Sequence, residues 1–90
     1  MADVRRGVDR IDRQIVALLA QRFRYMDAAA RIKPRREEVR DEARKAEVLA
    51  GVGRRAAAEG APAEAIRALY DALVEASIAY ELERFDAARA

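Results

Sequence analysis

Val4, Ile11, Leu18, Tyr25 and Ile32 stand seven residues apart, and Val8, Ile15, Arg22 and Ala29 form a second row offset by four. An apolar repeat of seven sustained over this length predicts one long helix with a coiled-coil-like seam. The pattern spans Asp3 to Lys33 and stops where Pro34 disfavours helix at the residue before it. A helix of about 30 residues is ~45 Å long. A compact globule of this chain length has a radius of gyration of only ~12 Å. The chain cannot cover such a helix by itself, so a homodimer in which each long helix packs on its partner is expected.

The remaining sequence also favours helix. Ala, Leu, Arg and Glu are abundant, while Gly and Pro are scarce. A second helix is predicted from Glu37 to about Ala58, with Gly51 and Gly53 weakening its middle. Glu59-Gly60-Ala61-Pro62 is the next break, with Gly60 suited to a helix C-terminus and Pro62 to the start of another. A third helix is predicted from Ala63 to about Ala87. No strand-like alternation, internal repeat or low-complexity linker is visible. The expected fold is all-α, three helices per chain, in one domain over residues 1–90.

Charge and residue types narrow the chemistry. Charged residues make up 38% of the chain, yet the net charge is only +2, and acids are interleaved with bases. That balance argues against nucleic acid as a partner. The first residues carry no apolar signal-like stretch, and no apolar run approaches the ~20 residues of a membrane span. A cytoplasmic protein with no membrane partner is expected. There is no Cys and no His. Thiolate chemistry and the commonest general base and metal ligand are therefore absent. Catalysis would run on carboxylates, cations, hydroxyls and backbone dipoles.

The polar residues that interrupt the apolar pattern are the candidates. Arg22 is the one charged residue in the nine seam positions. Such a cation is costly unless paired or facing a polar cavity. Periodicity allows both a register device or snorkelling side chain and a functional cation. Lys33 follows eleven residues on, three helical turns, and so lies on nearly the same face. Asp41 and Arg44 share a face of the second helix, as a simple exposed ion pair would. In the third helix, the stripe of Ile66, Tyr70 and Leu73 runs on into Ser77 and Glu81. Ser77 can bond a carbonyl one turn back, and periodicity does not decide whether Glu81 or Tyr80 faces inward.

The ordered set Asp3-Val4-Arg5, Asp9-Arg10-Ile11-Asp12, Arg22, Ala29-Ala30-Arg31-Ile32-Lys33 and Val39-Arg40-Asp41-Glu42-Ala43-Arg44 resembles the all-helical chorismate mutases. The likeness covers nearly the whole chain. It implies three helices per chain in an intertwined homodimer and a small dicarboxylate substrate, with no cofactor and no metal. It places Arg22, Lys33 and Arg44 on the substrate carboxylates and ether oxygen. Arg5 corresponds to an arginine that enters the site of the other subunit. Asp41 corresponds to a contact with the ring hydroxyl, Ser77 to a hydroxyl near a carboxylate, and Glu81 to a hydrogen-bonding partner of the ether oxygen. On this likeness Lys33, Glu81 and Arg22 are the catalytic residues.

One position departs from the pattern. Lys45 follows Arg44, where many mutases of this class carry a Glu that contacts the substrate hydroxyl. Isochorismate pyruvate-lyases share the fold and are similar across Tyr25 to Lys33 and around Ile78-Ala79, whereas Val39-Arg40-Asp41 is more like the mutases. An aminodeoxychorismate mutase is a further variant of the same chemistry. A non-catalytic helical dimer of the same fold is the alternative of another class. Cations facing inward from all three helices would distinguish an enzyme from such a scaffold.

Overall fold

A computed structural model describes residues 1–90. It contains three helices and no strand: α1 over Ala2–Ile32, α2 over Glu42–Ala58 and α3 over Ala63–Ala88, with a 3-10 turn at Arg36–Glu38 between the first two. α1 ends as expected before Pro34, with Lys33 already extended while its N–H still donates to the Ala29 carbonyl. At the other break Gly60 adopts φ +73°. Its N–H bonds the Ala57 carbonyl at 3.1 Å, and Ala61 N–H bonds that of Ala56 at 2.8 Å. That pair of bonds is a Schellman closure, and the left-handed residue at its centre favours glycine.

The start of α2 corrects the sequence expectation. The helix begins at Glu42, not Glu37, and Asp41 is its N-cap, accepting the Arg44 N–H at 3.0 Å. An Asp side chain satisfies an orphan donor at a helix start better than it supports a helix interior. Upstream of it, the charged residues are drawn into ties outside any helix. Arg36 pairs with Asp86 and Arg40 with Glu75, while Val39 is buried in the core. These interactions favour a turn that folds back over α3.

α3 lies between the other two helices, parallel to α1 and antiparallel to α2, as the cross-helix pairs Arg22–Ser77, Asp27–Tyr80, Arg40–Glu75 and Lys45–Asp71 require. Ala30, Val39, Val74, Ile78 and Phe85 form the core, flanked by Val48, Tyr70 and Leu82. Phe23 meets Tyr80 edge to face at 5.1 Å. α1 and α2 do not pack against each other. Because α3 holds them apart, a cleft remains between them.

The rest of α1 projects alone. Only 10 of 90 residues are buried, and seven of the nine seam positions are exposed, from 47% at Ile15 to 79% at Ile32, Arg22 and Ala29 being the half-buried two. The chain measures 50 × 26 × 15 Å, with a radius of gyration of 15.7 Å against ~12 Å for a compact chain of this length. No helix is long and apolar enough to cross a membrane.

Candidate active site

The cleft encloses about 370 Å³. α1 contributes Arg22, Met26, Ala29 and Lys33, spaced by four, three and four residues and hence on one face. α3 contributes Val74, Ser77, Ile78 and Glu81 at the same kind of spacing. Glu38, Val39 and Asp41 close the corner, and Arg44, Lys45 and Val48 come from the first turns of α2. The lining therefore holds four cations and three acids around an apolar floor. A groove of 330 Å³ beside Tyr25 is lined by α1 alone and brings no such groups together.

Arg22, at the seam position where a charge is anomalous, points into this cleft. Its Nη1 donates to Ser77 Oγ at 2.5 Å, and its guanidinium lies 5.8 Å from the Tyr70 ring centre. Ser77 is buried and its hydroxyl donates to the Leu73 carbonyl at 2.7 Å. The local bond expected of a helical serine is present, and the same oxygen also receives the arginine. Lys33 Nζ donates to Glu81 Oε2 at 2.7 Å. The Glu81 side chain is 5% exposed and that of Lys33 30%, so Glu81 faces inward. Tyr80 is half-buried and donates to Asp27 at 2.8 Å. That bond to a carboxylate, aided by burial, raises the Tyr80 hydroxyl above its ordinary range.

Asp41 and Arg44 sit at the rim. The Asp41 carboxylate caps α2 instead of pairing with the Arg44 side chain, and the Arg44 guanidinium rests on Glu47. That exposed pair is worth under ~1 kcal/mol, so a ligand carboxylate can replace Glu47 at little cost. Arg5 does not reach the cleft. It is exposed on the projecting part of α1, about 25 Å along the helix axis from Arg22 at 1.5 Å per residue.

Lys45 is the lining residue whose setting the sequence hid. Its Nζ is held by Asp71 at 3.0 Å and Glu75 at 2.8 Å, with the side chain only 19% exposed. Glu75 is gripped in turn by Arg40 at 2.7 and 3.1 Å. Hydrogen bonds donated by Arg40 and Lys45 hold the Glu75 carboxyl down at about 2, and donating to Glu75 and Asp71 raises Lys45. Asp71 and Glu75 are four apart on α3, which marks a shared face, but no local pattern says that Lys45 lies opposite them. No buried side-chain polar atom lacks a partner.

Donors from three helices thus converge on a cleft of small-molecule size, with one buried carboxyl group among them. Guanidinium and ammonium groups so arranged suit a compact ligand with separated carboxylates. A family model described as chorismate mutase type II matches residues 4–82 of the chain. Comparison with curated proteins finds no match.

Proposed function

Because this chain belongs to the chorismate mutase type II family, we propose that it rearranges chorismate to prephenate in the cleft between α1, α2 and α3. The observation that carries the reading is the convergence of Arg22, Lys33, Arg44, Ser77 and Glu81 on one cleft. The reaction is pericyclic, with bonds breaking and forming within one molecule. What it needs is a dianion held in a compact conformer and stabilisation of the charge that builds on the ether oxygen.

Arg22, steadied by Ser77 and Tyr70, receives one substrate carboxylate. Arg44 turns from Glu47 to the other. Lys33 and Glu81 close on each other in the free chain, and the ether oxygen enters between them. A carboxylate cannot donate, so Glu81 donates in its protonated form. Asp41, with one carboxylate oxygen committed to the helix cap, directs the other to the ring hydroxyl. A second copy of the chain covers the exposed α1 seam, and Arg5 of the partner subunit completes the site.

The magnitudes suffice. A millionfold acceleration corresponds to ~8 kcal/mol, and one donor aimed at developing charge supplies ~2.7–4 kcal/mol. A second reading, isochorismate pyruvate-lyase, draws on Lys45, a cation in the wall where many mutases carry Glu. Incubation with chorismate and isochorismate side by side, with product identification, tests both. Prephenate from chorismate supports the mutase. Salicylate and pyruvate from isochorismate alone would replace it with the lyase. No product from either would leave a non-catalytic helical dimer.

A further inference from the structure

We propose that Arg89 is a positioning residue for Lys33: it holds the last turn of α1 so that the Lys33 ammonium stands at Glu81. The proposal rests on the mutase reading for what Lys33 does, and on hydrogen bonding alone for how Lys33 is held.

α1 ends with carbonyls that no intrahelical donor reaches. Lys33 N–H takes the Ala29 carbonyl at 2.9 Å. The next donor in the register, for the Ala30 carbonyl, would be the backbone nitrogen of residue 34. That residue is Pro34, which has no N–H. Ala30 is buried at 1% exposure, so water is a poor substitute. Arg89 supplies the missing donor. Its Nη1 donates to the Ala30 carbonyl at 3.1 Å and to that of Phe85 at 3.2 Å, and its Nη2 donates to the Lys33 carbonyl at 2.7 Å. The guanidinium lies over the buried Phe85 ring, 3.6 Å from its centre. Its positive charge also sits at the negative end of the α1 dipole.

Glu81 and Phe85 are four apart on α3, and Arg89, four further on at the C-cap just past its end, continues their stripe. Lys33 is therefore gripped twice from that stripe, by its carbonyl at Arg89 and by its ammonium at Glu81. A planar fork that stacks while serving three carbonyls is a guanidinium property which a lysine cannot reproduce. Arg36 bonds Asp86 at 2.9 and 3.3 Å and has no hydrogen bond to the Ala30 or Lys33 carbonyl, so Arg36 is a nearby control.

The test compares R89A, R89K and R36A with the unaltered protein, reading steady-state kinetics with chorismate and amide hydrogen exchange along α1. Displacing a catalytic group by about 1 Å costs up to about 100-fold. R89A should lower kcat by about 10- to 100-fold with KM changed less than about threefold, because Arg22 and Ser77 still bind the carboxylate. R89K should not restore kcat, and millimolar guanidinium ion should raise kcat of R89A but not that of the unaltered protein. Exchange of the Lys33 amide should quicken in R89A and not in R36A. R89A with kcat within twofold of the unaltered protein, or with unchanged exchange at Lys33, overturns the proposal. If R89A fails to fold, R89K carries the same readings. If the unaltered protein converts neither chorismate nor isochorismate, the mutase reading fails and the exchange data alone decide whether Arg89 holds Lys33.

Discussion

Arg22 combines a cost and a use. A guanidinium placed on an apolar seam is tolerable here because Ser77 accepts from it and Tyr70 faces it. Both partners are neutral, so its charge stays free for an anion. Arg22→Ala should reduce kcat/KM at least about 100-fold, a loss of at least ~2.7 kcal/mol of transition-state stabilisation, while circular dichroism and sedimentation stay unchanged. Near-normal turnover would remove Arg22 from the reaction. Glu81 makes a different demand, since only its protonated form donates to an ether oxygen. Glu81→Gln should stay within about tenfold of the unaltered kcat, because an amide also donates, whereas Glu81→Ala should lose about 100-fold or more. Near-normal turnover of Glu81→Ala would exclude Glu81 as the donor.

At the scale of elements, the corner between α1 and α2 carries both stability and chemistry. Asp41 serves as cap and as site rim, and two substitutions separate those duties. Asp41→Ala should destabilise the fold by about 1 kcal/mol in urea titration, whereas Asp41→Ser, an equally good cap, should cost less than about 0.5 kcal/mol. Equal losses would mean that the cap is not what Asp41 contributes. α2 is tied to α3 by Glu75 between Arg40 and Lys45. Glu75 titrates at about 2 when folded and near its ordinary 4.5 when unfolded. With the folded value the lower, the unfolded chain binds the extra proton. The stability from this group is therefore complete above 4.5 and lost as pH falls towards 2. Glu75→Gln should flatten the acid limb of stability measured by thermal melting between those values, and added salt should shrink the difference because the cluster is exposed.

What was legible in the sequence follows the same division. α1, its stop at Pro34 and the Gly60 turn are dictated by residues within a few positions of each other, and they stand where expected. Residues 37–41 read as helix in the sequence but form a turn, because the conformation of this corner depends on partners far along the chain, Asp86 and Glu75. Arg22 announced itself by interrupting a seam. Ser77 and Glu81 continue the stripe of Ile66, Tyr70 and Leu73, but with α3 packed on two sides periodicity does not decide between Glu81 and Tyr80, and the family resemblance is what points Glu81 inward. The setting of Lys45 depends on how α2 slides along α3, which no local pattern records.

At the scale of the whole molecule, a single chain leaves much of its first helix uncovered. Its first helix presents Val4, Val8, Ile11, Ile15 and Leu18 to solvent, each about half exposed or more. A continuous apolar stripe of that length marks an interface, and a heptad spacing suits a helical partner with the same spacing. A two-fold dimer places the same patch of each copy against the other, so any residue that crosses does so twice. If Arg5 of the partner subunit completes each cleft, two defective variants should repair one another. R5A keeps its own Arg22 but offers no crossing arginine. R22A offers Arg5 but has a damaged cleft. In a hybrid dimer the cleft of the R5A chain has its own Arg22 and the crossing Arg5, while the other cleft lacks both. Random exchange of equal amounts makes half the dimers hybrid with one intact cleft of two, so about a quarter of full activity should return. Each variant alone should remain nearly inactive, and recovery should follow subunit exchange after brief unfolding and refolding together. A refolded mixture no more active than the average of its parents would show that Arg5 acts within its own chain or not at all.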